Sequence, residues 1–263
     1  LLKYYHLILN VFLLKVKYIL YTKKGKKMKK WIQIFYPLRC PGCDELLSVQ
    51  EEQIGFCATC QQKIIYLREP LCKHCGKQLQ NNEKEFCFDC TEKRFFFDQG
   101  KALFAYAGPL KNAMYRLKYS NRRCYASLFA QMVNDRMKSW FLENEFDVII
   151  PVPMHKEKKK LRGYNQAEVL AEQIGKKMNL RVQNNLVIRQ MNTAPQKGLT
   201  DSMRKENLKN AFILTENVVQ FKHILIIDDI YTTGSTVNEV AKLLKGAGAL
   251  SICCLYICVG RGY

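Results

Sequence analysis

Cysteine is the residue whose spacing in this sequence most directly indicates chemistry. Eight of the 12 cysteines form four pairs, and two residues separate the partners of each pair. Two thiolates at this spacing on a tight turn can bind one metal ion, and two such turns complete a tetrahedral set of sulfur ligands. The sequence therefore predicts two zinc ions. Their role is structural, because cysteine fills every ligand position and leaves none open for a substrate. The predicted ligands are Cys40, Cys43, Cys57, Cys60, Cys72, Cys75, Cys87 and Cys90.

The intervals between the pairs are similar, which predicts that neighbouring pairs combine: the first with the second, and the third with the fourth. A cross-braced arrangement of alternate pairs stays open. A disulfide framework is disfavoured, because the sequence shows no export signal and disulfides do not persist in a reducing cytosol. His74 lies inside the third pair, and we expect its side chain to face solvent.

A second constellation occupies residues 224–236, where an apolar run leads into two acids and then into a turn rich in hydroxyl groups. Backbone N–H groups at the start of a following helix, together with the hydroxyls, form a cradle for a phosphate. Two carboxylates next to it can accept hydrogen bonds from vicinal hydroxyls. The string therefore predicts a site for a ribose 5-phosphate. Its candidate residues are Asp228, Asp229, Thr232, Thr233, Gly234, Ser235 and Thr236.

Alternating strands and helices are predicted to position these residues. Short apolar runs before Pro151, before Asp228 and at residues 251–259 are typical of parallel strands that are buried on both faces. A helix is predicted to begin at Asn165 with a capping box that includes Glu168. Another follows Thr236, with residues 237, 240, 241 and 244 on its buried face, and stops at residue 246. This pattern predicts an α/β domain with helices covering an open sheet.

The string at residues 224–236 closely resembles the phosphoribosyl-pyrophosphate (PRPP) motif of type I phosphoribosyltransferases. Two further blocks accompany it: residues 151–167, and a set that comprises Arg189, Thr193, Gln196, Leu199, Arg204, Asn207, Ala211 and Phe212. Together with the double zinc ribbon, these blocks are similar to the competence protein F family (ComF/GntX) of the ComFC type, which is needed for DNA uptake in naturally transformable bacteria. The resemblance extends from about residue 31 to the last residue.

The resemblance implies a type I phosphoribosyltransferase-like parallel sheet with helices on both faces, preceded by a small zinc-ribbon module. It implies PRPP, or another ribose 5-phosphate, as the ligand, with Mg²⁺ bound to it. Pro151, Val152 and Pro153 then correspond to the pyrophosphate loop. Residues around 190–205 correspond to the flexible loop over the active site, which contains Gln196.

PRPP is a polyanion. Fixed positive charges on the protein, together with a metal ion, stabilise the pyrophosphate group as it leaves. Arg162, Arg189 and Arg204 are the candidates, because arginine can bind phosphate oxygens with two hydrogen bonds. His155 is a weaker candidate. We expect the neighbouring lysines to form a solvated basic patch; they are Lys156, Lys158, Lys159 and Lys160.

The formal net charge of +19 is distributed unevenly over three segments. Residues 1–30 form a basic leader that carries +9. We expect that this leader does not belong to the natural product and that the natural product starts at Met28. The alternative is a basic amphipathic segment that lies on a membrane surface. Residues 31–98, the predicted double zinc ribbon, carry −2. Residues 99–263, the predicted phosphoribosyltransferase-like domain, carry +12.

Composition and motifs limit the function. A hydrophobic content of 48% with 25% charged residues excludes a disordered or collagen-like chain. The sequence contains no P-loop motif and no apolar run long enough to span a membrane. The main hypothesis is a PRPP-binding protein that acts in DNA uptake, in the cytoplasm or peripheral to the inner face of the membrane, with competence machinery proteins as partners by family resemblance.

Single-stranded DNA is the predicted second ligand, because aromatic residues lie among the lysines and arginines of the basic domain. These residues are Tyr115, Tyr119, Tyr125 and Tyr164. The alternative hypothesis is an active phosphoribosyltransferase of nucleotide or related metabolism without a DNA role. No segment resembles a hood for a purine or pyrimidine, so we do not expect a free nucleobase as acceptor.

Overall fold

The computed structural model describes residues 37–190, 211–215 and 220–260. Contacts divide the chain into two units that interleave in sequence. The described part of the first unit consists of residues 37–40 and Asp44–Thr59, and the second consists of Pro41–Cys43 and residues from Cys60 onward.

The elements follow one another along the chain as short helices, then alternating strands and longer helices. In chain order they are α1 (Val49–Ile54), α2 (Ala58–Lys63), α3 (Phe88–Glu92), β1 (Gln99–Ala105), α4 (Pro109–Tyr119), α5 (Tyr125–Asn144), β2 (Val148–Pro151), α6 (Lys156–Arg162), α7 (Gln166–Met178), β3 (Val187–Arg189), β4 (Phe212–Leu214), β5 (His223–Tyr231), α8 (Ser235–Gly246) and β6 (Ser251–Val259).

In the described part of the first unit, helix α1 has defined caps at both ends. Ser48 caps it, because its hydroxyl accepts a hydrogen bond from the Glu51 amide at 3.3 Å while the Glu51 carboxylate accepts one from the Ser48 amide at 2.9 Å. The helix ends at Gly55, whose φ of 88° is the left-handed conformation that glycine adopts without strain. The same Glu51 carboxylate also accepts a hydrogen bond from the Ala58 amide at 2.8 Å, which fixes the start of α2.

A four-stranded parallel sheet organises the second unit, with the strand order β1-β6-β5-β2. The central strands β5 and β6 are apolar along most of their length, because neighbours cover both faces of a parallel sheet in an α/β domain. The three predicted strands are thus confirmed. Strand β5 extends beyond its apolar run, through Asp228 and Asp229 to Tyr231, since it stays paired with β6 as far as Val259.

The two predicted helices are present as α7 and α8. Asn165 caps α7 by accepting a hydrogen bond from the Ala167 amide at 3.1 Å. Glu168 does not complete the expected capping box; its carboxylate forms an ion pair with Lys159 at 2.6 Å instead. Helix α8 buries Val237, Val240, Ala241 and Leu244 and ends at Gly246, as expected. Across the described ranges, no helix combines the length and apolarity required to cross a membrane.

The second ribbon, residues 71–93, packs directly on the first strand of the sheet. A bridge between Leu71 and Gln78 frames its first turn. The Gly100 amide on β1 donates a hydrogen bond to the His74 carbonyl at 2.5 Å. The His74 ring stacks on Phe97 with a centroid distance of 4.5 Å. The expectation that His74 faces solvent is therefore wrong, because an aromatic neighbour 23 residues further along the chain covers the ring.

This close packing predicts a strong effect of a methyl group at Gly76. Its φ is 74°, and a Cβ there would lie 2.6 Å from the Gly100 carbonyl oxygen. Gly76→Ala should lower the free energy of unfolding by about 1–3 kcal/mol, measured by urea denaturation of the zinc-loaded chain. Gly246→Ala is the control, because a Cβ at the end of α8 has no atom within 4 Å. An equal loss in both variants would contradict the prediction.

Candidate functional site

Two clusters of four cysteines form zinc-binding sites, and their composition confirms the predicted pairing. Within each cluster the sulfur atoms lie within 4.8 Å of one another: Cys40, Cys43, Cys57 and Cys60 in one, and Cys72, Cys75, Cys87 and Cys90 in the other. An all-sulfur set of four ligands suits tetrahedral Zn²⁺.

The two sites share a detail that supports thiolate ligands. The Cys57 amide donates a hydrogen bond to the Cys40 sulfur at 3.4 Å. In the second site, the Cys87 amide donates one to the Cys72 sulfur at 3.3 Å. Such bonds from the surrounding backbone orient ligands and stabilise the negative charge on sulfur. Helices α2 and α3 each begin directly after the cysteine that donates, so both ribbons use the same local structure.

The candidate phosphate loop connects β5 to α8. Gly234 adopts a φ of 77°, and a Cβ on it would lie 2.6 Å from the Tyr231 hydroxyl oxygen, so only glycine fits. The Thr233 and Ser235 hydroxyl oxygens are 2.9 Å apart on one side of the turn. Helix α8 starts at Ser235, and the first N–H groups of a helix have no acceptor within it. Hydroxyl groups and the first amides of α8 thus lie together in one turn, and their role as a phosphate cradle stays a prediction.

The two acids at the end of β5 differ in their surroundings. Asp229 is buried, and its carboxylate forms an ion pair with Lys118 at 2.6 Å. The Asp228 carboxylate accepts a hydrogen bond from the Asp229 amide at 2.8 Å. Burial, together with the negative charge of Asp229, raises the pKa of Asp228 to about 7.

Lys118 is the site residue that the sequence analysis missed. It lies in the last turn of α4, one residue after the buried Leu117. Burial acts to lower the pKa of Lys118, but the charges of Asp229 and Asp228 outweigh it, and the net shift is upward. A lysine at the edge of the buried face of an amphipathic helix was the available signal. Because such lysines usually reach solvent, the pattern alone does not identify a partner.

Cations line a cavity of about 660 Å³ beside the acid pair. Arg162 and Arg189 contribute to it as predicted, and Arg162 also lies over the Tyr119 ring at 4.8 Å. Lys158 joins them; burial and the charges of both arginines lower the pKa of its ammonium group. The cavity thus brings together, in the part of the chain that the structure describes, Lys118, Lys158, Arg162 and Arg189.

The expected solvated basic patch is therefore only partly correct. Lys156 and Lys160 are exposed as predicted. Lys159 is paired with Glu168, and Lys158 lines the cavity. His155 caps α6 by accepting a hydrogen bond from the Glu157 amide at 3.3 Å, so its ring stabilises that helix.

The candidate pyrophosphate loop leaves the sheet at Pro151, beside the acid pair. Pro151 is the last residue of β2 and pairs with Ile227, the residue before Asp228. The Val152 amide donates to the Ile227 carbonyl at 2.9 Å, and its carbonyl accepts a hydrogen bond from the Asn165 side chain at 2.9 Å. Pro153 follows at the cavity wall. These bonds fix the loop to β5 and to the start of α7.

Arg189 enters the cavity from the antiparallel pair β3-β4. It is the last residue of β3, pairs with Phe212, and its guanidinium lies 5.4 Å from the centre of that ring. Two further predicted residues, Gln196 and Arg204, belong to the segment between these strands and lie outside the described residues. Next to Arg189, the Gln190 amide donates a hydrogen bond to the Ala211 carbonyl at 2.9 Å.

A second cavity of about 470 Å³ lies along the phosphate loop itself. Its wall includes the loop residues from Asp228 to Val237, with Tyr106 and Tyr256. Lys118, Asp228 and Asp229 line both cavities. The ion pair thus stands between a compartment rich in hydroxyls and amides and a compartment rich in cations.

Comparisons with known proteins agree with these observations. Residues 31–91 match the double zinc ribbon domain, and residues 134–262 match the phosphoribosyl transferase domain. Among solved structures, the purine phosphoribosyltransferase from Pyrococcus horikoshii OT3 matches at 15% identity and a TM-score of 0.30, covering 50% of this chain and 83% of that chain. The two family matches define a phosphoribosyltransferase-type α/β domain that follows a double zinc ribbon.

Three relatives extend the likeness over most of the chain. Competence protein F of Haemophilus influenzae is 34% identical and covers 83% of this chain and 95% of its own length. The DNA utilization protein YhgH of Escherichia coli K12 is 33% identical, with 76% and 89% covered, and competence protein ComFC of Streptococcus pneumoniae is 26% identical, with 79% and 89% covered. The chain belongs to the ComF/GntX family of competence proteins.

The raised pKa of Asp228 predicts a pH-dependent stability difference. An unfolded aspartate has a pKa near 3.9, so the folded chain holds an extra proton between about pH 4 and pH 7. Stability from this group therefore falls as the pH rises through that window. Asp228→Asn removes the titration, and its free energy of unfolding should rise relative to that of the unmodified chain between pH 5 and pH 8.

Urea denaturation at both pH values measures this difference. Asp135→Asn, an exposed carboxylate on α5, is the control and should give the same difference at both pH values. A difference for Asp228→Asn that shrinks as the pH rises would contradict the upward shift.

Proposed function

We propose that this chain binds PRPP with Mg²⁺ at the carboxyl edge of its sheet and acts in DNA uptake during natural transformation. One observation carries the ligand assignment: two carboxylates at the end of β5 are followed directly by a turn that only glycine can form at Gly234 and by the start of α8. A ribose 5-phosphate presents a diol and a phosphate at this spacing.

The loop compartment is assigned to the sugar end of the ligand. The hydroxyls of Thr232, Thr233, Ser235 and Thr236 and the amides at the start of α8 bind the 5-phosphate. Asp228 and Asp229 accept hydrogen bonds from the ribose hydroxyls. Lys118 fixes the position of the Asp229 carboxylate through the ion pair at 2.6 Å, and carboxylate oxygens are acceptors for the ribose hydroxyls.

The cationic compartment is assigned to the pyrophosphate end. Arg162, Arg189 and Lys158 supply positive charge there, beside the loop that begins at Pro151. Oxygen ligands from the pyrophosphate suit Mg²⁺, which binds phosphates in preference to all-protein cages. We assign Gln196 and Arg204 to the same end of the ligand by family resemblance.

A role in DNA handling rests on the names of the relatives and on charge. Residues 99–263 carry +12, which favours a phosphate backbone as a partner. Of the four tyrosines considered above, Tyr115 and Tyr119 are each 61% exposed with their ring centres 5.0 Å apart, whereas Tyr125 and Tyr164 are buried. We therefore assign base stacking to the exposed pair, next to Arg162, and propose single-stranded DNA as the second ligand.

The proposed role also assigns the domains and the place of action. Residues 31–98 form the ribbon module and residues 99–263 the ligand-binding domain. The protein acts in the cytoplasm at the inner face of the membrane, where an incoming strand meets the competence machinery proteins that we propose as partners.

Removal of the acid pair tests the ligand. Asp228→Asn combined with Asp229→Asn should weaken PRPP binding about 100-fold or more, because hydrogen bonds to two charged acceptors are lost. Isothermal calorimetry in the presence of Mg²⁺ measures the affinity, and metal analysis should still find about two zinc ions per chain. Asp135→Asn is the control and should bind as the unmodified chain does.

Unchanged PRPP affinity in the double variant would refute the assignment of the ribose site. The same preparation distinguishes binding from catalysis. Release of pyrophosphate from PRPP in the presence of an acceptor would favour the alternative, an active phosphoribosyltransferase, for which the cation-lined cavity supplies the charge that a leaving pyrophosphate needs.

The exposed tyrosines provide a test of DNA binding. Tyr115→Ala with Tyr119→Ala should weaken binding of a fluorescent single-stranded oligonucleotide about tenfold or more, since stacking contributes about 1–3 kcal/mol per base. Tyr115→Phe with Tyr119→Phe keeps both rings and should retain affinity. The affinity of the unmodified chain should also fall steeply with salt. Affinity that does not depend on salt or on the rings would contradict this surface.

A further inference from the structure

The phosphate loop rests on the ring of Tyr231, the last residue of β5. This ring is buried, and it lies directly below Gly234, because a Cβ on Gly234 would be 2.8 Å from the ring carbon Cε2. Tyr256 contacts it at a centroid distance of 4.8 Å from the neighbouring strand. The position of the Tyr231 ring therefore determines how close the loop can approach the sheet.

The other contacts of Tyr231 come from the second zinc ribbon and the residues that follow it. Phe97 meets the ring edge-on at 6.4 Å, and the Lys77 ammonium lies 5.7 Å from the ring centre. Lys77 is fixed within the ribbon by two bonds. Its side chain forms an ion pair with Asp89 at 2.7 Å, and its carbonyl accepts a hydrogen bond from the Cys72 amide at 2.7 Å.

Metal ligands flank both of these anchoring points. Asp89 lies between Cys87 and Cys90, and Cys72 is itself a ligand of the same cluster. Without a metal ion, four thiols at this spacing have no bond that holds the two turns together, and such ribbons unfold. Zinc at the second site therefore fixes the group that contacts Tyr231.

The far end of the phosphate loop is bonded to the same segment. The Phe96 amide donates a hydrogen bond to the side-chain oxygen of Asn238 at 2.6 Å. The Asn238 amide donates in turn to the Gly234 carbonyl at 2.9 Å, the first bond of α8. Asp98, two residues after Phe96, is anchored by Lys245 at 2.9 Å and by the Ile252 amide at 2.7 Å. Residue 96 is thus held in place from the sheet side.

We propose that the second zinc ribbon and residues 94–98, which follow it, act as a clamp on both ends of the phosphate loop, through Lys77 and Phe97 on Tyr231 and through Phe96 on Asn238. Tyr231 and Asn238 are then positioning residues: they act on the ligand through Gly234. Zinc at Cys72, Cys75, Cys87 and Cys90 controls the end of the loop at Tyr231, whereas zinc at the first cluster does not; the end at Asn238 is held by Phe96. The consequence for PRPP affinity rests on the proposed function; the order of the loop does not.

Hydrogen exchange of the zinc-loaded full chain without ligand tests the clamp. Asn238→Leu removes the acceptor for Phe96, and peptides that cover residues 228–240 should exchange about fivefold faster, the change that the loss of one hydrogen bond supports. Asn238→Asp keeps an acceptor oxygen and should exchange as the unmodified chain does. Glu239→Leu, the adjacent residue on α8, is the matched control and should leave these peptides unchanged.

A second experiment tests the role of zinc by comparing hydrogen exchange in two variants, each of which lacks one cysteine ligand of one cluster. Cys90→Ser should raise exchange at residues 228–240, and Cys57→Ser should not. Equal exchange in Asn238→Leu and the unmodified chain would overturn the proposal, as would an equal rise in both cysteine variants. If Cys90→Ser fails to fold, Lys77→Met takes its place: it keeps all four ligands, removes the ammonium group that lies 5.7 Å from the Tyr231 ring centre, and should raise exchange at residues 228–240. The Asn238 variants decide the other end of the clamp.

Calorimetry with PRPP separates this proposal from the proposed function. If the unmodified chain binds PRPP, Asn238→Leu should weaken binding and Asn238→Asp should restore it, and equal affinity in all three would overturn the effect on the ligand. If the unmodified chain does not bind PRPP, the proposed function fails while the exchange experiment still decides whether the clamp exists.

Discussion

Parallel pairing of β5 with β6 is the constraint on which the site depends. The ladder continues beyond the apolar part of β5, so Asp228 pairs with Tyr256 and Tyr231 with Val259. This extension keeps the two acids in extended backbone, where successive side chains point to opposite faces of the sheet. It also fixes Tyr231 below the glycine of the phosphate loop. A strand that ended before Asp228 would leave both acids in a turn without fixed directions.

The pairing of β5 with β6 buries the carboxyl group of Asp229, which lowers the stability of the fold. The ion pair with Lys118 offsets this loss. Asp229 is 8% exposed, and a buried carboxylate without a partner destabilises a fold strongly. The ion pair at 2.6 Å places a positive charge beside the Asp229 carboxylate, while burial and the charge of Asp229 raise the pKa of the neighbouring Asp228 to about 7. The two adjacent acids thus differ in their surroundings: one contacts a lysine directly, and the other changes its protonation near neutral pH.

Local signals were sufficient to predict much of this molecule. The cysteine spacing predicts both zinc sites with their pairing, and the strand, acid pair and glycine turn predict the candidate site because they are contiguous in sequence. What the sequence did not reveal depends on contacts between distant segments. Lys118 approaches Asp229 from α4, and Lys158 lines the cavity together with Arg162 and with Arg189 from the distant strand β3. Neither lysine differs in its local pattern from a solvated one.

Zinc bound to the two ribbons also changes how the net charge is distributed along the chain. Each site of four thiolates and one Zn²⁺ contributes about −2, so residues 31–98 change from −2 to about −6 when both ions are bound. Residues 99–263 keep +12, and four of these cations line the cavity beside the acid pair. An anionic ligand is therefore attracted to the α/β domain and repelled by the metal-loaded module. Zinc thus contributes in two ways: it replaces the core that a small ribbon lacks, and it confines the positive potential to the domain that contains the site.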